Sequence, residues 1–300
     1  MRKNIYIATQ NLSFFYKLNK ELLRLRIKFE VLPIRSKIPS SSSIVLTTAE
    51  EVLKFEETQK RFCILPYYKN QNFQHYIIKI LAAYKIEYKE NYSEILFSID
   101  PGTKQIGIVV FLDDYYLQSH TIYTNEEFKE MINDYILSFQ NTKTVPITII
   151  FKFGRGVKSI TTNLLKLIFE TYRDRGNMKV YLVDESKTSK IKIQDKRKQI
   201  KSKHEISAII IAMRKGIEVD KENFLQSIEQ NLSQNNRYYE TEVNTREDVQ
   251  EKKNDFKNII ERILNNDISL RKSSKLIKNL NVKLKPRRYD KRSYIRRAQF

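Results

Sequence analysis

The sequence predicts an α/β protein: a mixed sheet built from three antiparallel strands and then αβαβα, preceded by a small α/β domain and followed by a basic helical tail. Three observations predict it. Strand-like and helix-like apolar runs alternate through residues 1–92 and again through 94–219. Between Glu94 and Ile122 three strand runs follow one another with only turns between them, Pro101-Gly102-Thr103 and Asp113-Asp114. Beyond residue 220 the apolar content falls, while lysine and arginine collect towards the end.

In residues 1–92, Ile5–Ala8 reads as a strand and Leu12–Leu25 as a helix, with Leu12, Phe15, Leu18, Leu22 and Leu25 at helical spacing. Phe29–Leu32 and Ile44–Thr47 read as strands. Thr48 then precedes a helix over Ala49–Lys60, with Glu51 three residues on to complete a capping box. Phe62–Leu65 is a further strand and Phe73–Tyr84 a further helix, which makes a small α/β domain. This segment contains no glycine, so it carries no glycine-rich phosphate loop.

In residues 94–219, Glu94–Asp100, Ile106–Leu112 and Tyr116–Ile122 form the antiparallel meander. A helix follows at Glu126–Phe139, a strand at Ile147–Phe153, a helix at Ser159–Arg173 and a strand at Val180–Asp184. A basic stretch then leads into a helix at Glu205–Lys215. Residues 220–300 are polar and helical in pattern, most clearly at Asp255–Leu264. Residues 271–300 hold twelve Lys or Arg and one Asp.

The chain has 300 residues, with 55 Lys+Arg against 35 Asp+Glu, a net charge of +20. That charge points to a polyanionic partner, nucleic acid first, with DNA ahead of RNA. One cysteine, Cys63, excludes a disulfide framework and a Cys-rich zinc site. No apolar run is long enough to span a bilayer, so a membrane partner is not expected and the setting predicted is cytoplasmic.

Three acidic positions stand where chemistry is performed in α/β sheets. Asp100 ends the first strand of the meander, and Gly102 and Gly107 clear side chains from around it, so that a phosphate or a metal ion can approach. Asp184 and Glu185 close the strand at Val180–Val183, a position where open sheets bind ligands. His204 and Glu205 open the last helix of the domain. Together these carboxylates suit Mg²⁺ or Mn²⁺, which take oxygen ligands and promote phosphodiester hydrolysis.

The same residues carry a resemblance. SIDPGTKQIGIVV resembles the first-strand motif of the RuvC-like branch of ribonuclease H-like nucleases. VDESKTS resembles the Asp-Glu-Arg-x-Thr-Ser motif of its YqgF-type members, and KHEISAIIIA resembles their final helix. The likeness spans about residues 94–217. It implies a metal-dependent nuclease with Asp100, Glu185 and Glu205 as metal ligands, Asp184 as the alternative second ligand and His204 assisting. Lys152 on the fourth strand stands where the resolvase members carry a Glu, so the YqgF-like arrangement is the better match; Ser186 replaces the motif's Arg. IDPGTKQIGIVV also resembles the phosphate hairpin of actin-like and sugar-kinase ATPases, but no second glycine-rich hairpin follows it.

Basic residues surround these positions. Gly154-Arg155-Gly156 and Lys158 precede a helix and can hold a backbone phosphate. Lys187, Lys190, Lys196, Arg197, Lys198, Lys201 and Lys203 run between two of the acidic positions. Arg287, Arg288, Lys291, Arg292, Arg296 and Arg297 interleave with Tyr289 and Tyr294 near the end. Such runs bind nucleic acid through its phosphates, and the tyrosines can stack on unpaired bases. The sequence therefore predicts a metal-dependent nuclease for branched DNA or structured RNA, with a homodimer suited to a two-fold junction. The alternative is a catalytically inactive nucleic-acid-binding protein on the same scaffold.

Overall fold

The structure, a computed structural model, describes residues 4–34, 36, 43–55, 63–140, 146–184, 202–228 and 246–279. Residues 4–85 form a parallel four-stranded sheet with the strand order β2-β1-β3-β4. Its strands are β1 (Asn4–Ile7), β2 (Glu30–Val31), β3 (Ser43–Thr48) and β4 (Cys63–Tyr67). Helix α1 (Leu12–Arg24) buries Phe14, Leu18 and Leu22, and Asn11 caps it by accepting from the Phe14 N–H at 3.0 Å.

Ala49–Lys54 forms a 3₁₀ turn where the sequence suggested a longer helix, and residues 56–60 of that helix lie outside the described residues. Glu51 reaches back as expected, accepting from the Thr48 N–H (3.3 Å) and Oγ1 (3.0 Å). It also accepts from Thr9 Oγ1 and the Gln10 N–H, each at 2.6 Å, which ties the turn to the end of β1. Burial pushes the Glu51 carboxyl up, but these donors outweigh it and hold the group below the usual carboxylate range.

Helix α2 (Phe73–Lys85) joins this unit to the next. His75 Nε2 lies 3.1 Å from Asp134 Oδ1, Lys85 Nζ donates to the Leu117 carbonyl at 2.8 Å, and one hydrophobic cluster runs continuously through both units.

The second unit is a six-stranded mixed sheet with the order β10-β9-β8-β5-β6-β7. Its strands are β5 (Glu94–Pro101), β6 (Ile106–Leu112), β7 (Tyr115–Ile122), β8 (Thr148–Gly154), β9 (Met178–Val183) and β10 (Ile217–Val219). β5, β6 and β7 are antiparallel, whereas β8 and β9 run parallel to β5. This is the predicted meander followed by two parallel strands, an arrangement compatible with a ribonuclease H-like fold. Asp113 and Asp114 turn β6 into β7 with φ values of 45° and 76°, the left-handed pair that a tight hairpin needs.

Both faces of the sheet are covered, which explains why β6 reads as an unbroken apolar run: all seven of its residues are buried. Helices α3 (Asn125–Phe139) and α4 (Lys158–Thr171) pack on one face, against Ile95, Phe97, Ile99, Phe151 and Phe153. Helix α5 (Lys203–Met213) lies on the other, and every residue from Glu205 to Met213 is buried.

The third layer explains this burial. Residues 246–279 are helices α6 (Arg246–Leu264) and α7 (Leu270–Asn279), and they are not a peripheral tail. Phe256, Ile259, Ile260, Ile263 and Leu264 share one core cluster with Ile209, Ile210 and Met213 of α5 and with Val109 and Phe111 of the sheet. Between the two helices Asn266 adopts φ 59° and pairs with the edge of β7, accepting from the Tyr116 N–H and donating to the Tyr116 carbonyl, both at 2.9 Å. Asp114 caps α7 by accepting from the Arg271 N–H at 3.0 Å. Among the described residues, no helix is long and apolar enough to cross a membrane.

Candidate active site at the carboxyl edge of the mixed sheet

Strand register sets the site. Asp100 on β5 pairs with Gly107 on β6, which pairs with Thr121 on β7, so these three form one row on the face that α5 covers. The next row on that face is Ser119, Val109, Ser98 and Lys152. Helix α5 is fastened to both rows. Ser98 Oγ donates to the Ala208 carbonyl at 2.6 Å. Lys152 Nζ donates to the carbonyls of Ala212 (2.6 Å) and Arg214 (2.9 Å), closing the carboxyl end of the helix. This gives Lys152, the residue that departs from the resolvase pattern, a defined structural role. Burial drives its ammonium down to about 8, partly countered by the charges of Glu94 and Asp114.

The amino end of α5 sits directly on Gly107. A Cβ placed there would lie 2.3 Å from the His204 carbonyl carbon and 2.5 Å from its oxygen. Gly102 makes room for the His204 ring in the same way: its Cβ would lie 2.6 Å from Cε1 and 3.0 Å from Nδ1. The two glycines predicted to admit a phosphate or a metal ion thus admit His204.

His204 Nδ1 lies 2.8 Å from Asp100 Oδ2. A carboxylate only accepts, so in this pair Nδ1 donates to Asp100. Asp100 is 6% exposed, and the His204 side chain 20%.

Glu205 points elsewhere. It is fully buried, with Oε2 accepting from Ser119 Oγ at 2.7 Å and Oε1 accepting from Thr121 Oγ1 at 2.6 Å. Thr121 Oγ1 also lies 3.2 Å from the hydroxyl of Ser202, the residue that caps α5 by accepting from the Glu205 N–H. The structure therefore brings Asp100 together with His204, and couples the predicted third ligand to β7. Among the described residues, no three His, Cys, Asp or Glu side chains form a group that could hold a metal ion. The sequence offered no sign of the Ser119–Thr121 pair, although two hydroxyls spaced two apart on a strand share a face.

Asp184 follows β9, two strands from Asp100, with its backbone carbonyl receiving Arg214 Nη1 at 2.5 Å. Arg155 follows β8 between them and donates its backbone N–H to the Val183 carbonyl at 3.2 Å. Among the described residues, its side-chain Nε is buried without a hydrogen-bond partner. Lys158 and Lys203, both exposed, open α4 and α5. Val157, ahead of α4, offers no side-chain cap. Glu185, Lys187, Lys190, Lys196, Arg197, Lys198 and Lys201 lie outside the described residues, as do Arg287, Arg288, Lys291, Arg292, Arg296 and Arg297. A cleft of about 310 Å³, lined by Lys79, Tyr88, Lys89, Tyr92 and Phe139, lies elsewhere, near the start of β5.

No family model matches the chain. No curated protein matches it either. Among solved structures 37 chains match. An Argonaute of Aquifex aeolicus matches with 12% identity over 61% of this chain and 35% of its own, at a TM-score of 0.20. The same Argonaute with externally bound siRNA matches with 12% identity and equal coverage, at 0.19. A Ppx/GppA phosphatase of Aquifex aeolicus matches with 11% identity over 56% of this chain and 55% of its own, at 0.13. The chain spans about a third of the length of the Argonautes it matches. At these scores the likenesses carry no weight for fold or function; the strand order is compatible with a ribonuclease H-like fold.

Proposed function

We propose that the chain acts on nucleic acid as a phosphodiesterase for branched DNA or structured RNA, centred on Asp100 and His204. The observation that carries this reading is the Asp100–His204 pair at the carboxyl end of the central strand, with basic groups beside it. A carboxylate that holds Nδ1 favours the neutral tautomer whose Nε2 can accept a proton, which is what a general base for an attacking water needs. Arg155, with Lys158 at an uncapped helix start, suits the phosphate of the strand being cut. The net charge of +20 suits a polyanion longer than a nucleotide.

The cofactor proposed is Mg²⁺ or Mn²⁺. Asp100 would be one ligand and Asp184, which follows β9, a second; Glu185, the other candidate, lies outside the described residues, and Glu205 is the weaker candidate because its oxygens accept from Ser119 and Thr121 on β7. When bound, such a cation would neutralise phosphate charge and acidify water.

A second reading is a nucleic-acid-binding protein without catalysis. The seating of Glu205 against Ser119 and Thr121, together with the absence of a three-residue His, Cys, Asp or Glu group among the described residues, favours it. Both readings are tested with labelled four-way junction, splayed duplex, single-stranded DNA and hairpin RNA, each in Mg²⁺, Mn²⁺ or EDTA. Wild type is run beside Asp100→Asn and His204→Gln. Metal-dependent cutting that both variants lose while still binding supports the enzyme. Tight, salt-sensitive binding with no cutting in any metal supports the binding protein.

A further inference from the structure

We infer that Glu205 is a positioning residue: it anchors the start of α5 to β7 so that His204 meets Asp100. Its functional meaning rests on the proposed Asp100–His204 site, but the geometry stands apart from activity. In the row Asp100–Gly107–Thr121, the His204 backbone occupies the middle, above Gly107. From that one point, consecutive helix residues reach in opposite directions along the row. His204 goes to Asp100 on one side, and Glu205 goes to Thr121 and Ser119 on the other. Side chains one residue apart on a helix diverge by about 100°, so fixing either one fixes the rotation of the helix and with it the other.

Glu205 is the stronger fixture. It is fully buried, it meets two hydroxyls at 2.7 and 2.6 Å, and Ser202 adds a cap within the same network. A buried carboxylate that lost these donors would carry a large penalty, so the helix cannot rotate away from β7 cheaply. At the far end, Ser98 and Lys152 hold carbonyls of the helix and resist sliding along its axis. The arrangement places Glu205 behind the reactive pair, supporting it without touching substrate.

The test combines proton NMR of the His204 ring with Mn²⁺ binding, on the full chain. A ring N–H held by a carboxylate gives a far-downfield, exchange-protected proton signal. We expect wild type to show it, Asp100→Asn to lose it, and Glu205→Ala to lose it although Asp100 is intact. Glu205→Gln, which can still accept from one hydroxyl and donate to the other, is expected to restore it. Mn²⁺ affinity is expected to fall about tenfold or more in Asp100→Asn and to change less than about twofold in Glu205→Gln. A folded Glu205→Ala that keeps the downfield proton overturns the inference. So does a Glu205→Gln that keeps the proton yet loses about tenfold in Mn²⁺ affinity, because Glu205 is then a ligand. Should Glu205→Ala not fold, Ser119→Ala and Thr121→Val each remove one donor: a displaced proton signal in either supports the anchor, and an unchanged signal in both overturns it. If wild type binds no Mn²⁺, the metal reading fails while the ring proton still decides the role of Glu205.

Discussion

Gly107→Ala is the most direct challenge to the seating of α5. The added Cβ would lie 2.3 Å from the His204 carbonyl carbon, 2.5 Å from its oxygen and 2.6 Å from its Cβ. Non-bonded carbon atoms pack at about 3.5–4.0 Å, so the helix must withdraw by roughly 1.2 Å at its first turn. The obstruction is backbone, and no flexible side-chain end is there to swing aside. A withdrawal of that size carries the His204 ring away from Asp100, and the 2.8 Å contact weakens as it lengthens towards about 3.5 Å, where it is no longer a hydrogen bond. Overpacking of this kind costs about 1–3 kcal/mol. Gly176→Ala is the matched control: nothing lies within 4 Å of its added Cβ, and its φ is not positive. It should be neutral or stabilising by up to about 1 kcal/mol. Urea unfolding followed by circular dichroism measures both, and the His204 ring proton reports the contact. If Gly107→Ala matches Gly176→Ala in stability and keeps the ring proton, α5 does not rest on Gly107 and His204 is not seated there.

Other outcomes follow from the same contacts. Ile260→Ala, at a fully buried position between α6 and the sheet, should cost about 2–5 kcal/mol in urea unfolding. A loss near zero would return α6 to the status of an appendage. Lys152 titrates at about 8 in the folded chain against 10.5 unfolded, so between those pH values the unfolded chain binds more protons and stability rises with pH. Lys152→Met should remove that rise, worth at most about 3 kcal/mol, and parallel pH profiles for the two proteins would contradict it. Above pH 10 the sign reverses. Burial pushes Tyr172 up to about 12 and Tyr76 well above its usual value, so unfolded tyrosines lose their protons first and stability falls. Alkaline unfolding monitored by tyrosinate absorbance should therefore show the phenols ionising together with loss of structure, not before it. Nucleic-acid binding should weaken linearly in log–log coordinates with salt, by a slope of about 0.9 per duplex phosphate contacted.

Strand positions were the legible part of the fold. Ile106–Leu112 is a strand over the bounds its apolar run predicts, and Leu12, Leu18 and Leu22 place α1 correctly, because each pattern answers to a single local period. Ala49–Lys60 misled, because a capping box fixes where a helix starts and not how tightly it winds or where it stops. β10 has only three residues, too few to show an alternation, and it exists through pairing with β9. The integration of α6 and α7 was hidden for another reason. Residues 254–277 read as polar because their buried apolar residues, Phe256, Ile259, Ile260, Ile263, Leu264, Ile268 and Leu270, are interspersed with charged and polar ones. What betrays the missing layer is α5 itself, whose run from Ile206 to Met213 is apolar but for Ser207 and so must be covered on more than one side.

The site divides along the same line. The motif resemblance supplied positions along the chain: Asp100 lies on β5, Asp184 follows β9 and His204 lies in the first turn of α5. It did not supply direction. His204 and Glu205 are neighbours at the start of one helix, and which of the two faces Asp100 depends on how the helix is rotated above Gly107. That rotation is set by residues far away in sequence: Ser119 and Thr121 receive Glu205, Ser98 and Lys152 hold the helix behind it, and Gly102 leaves the space the imidazole fills. An acidic residue at the expected position is therefore not yet a ligand. A carboxylate surrounded by hydroxyls, beside a histidine held by another carboxylate, is what the proposed anchor requires, and it moves the centre of the proposed chemistry one residue back along the chain, to His204.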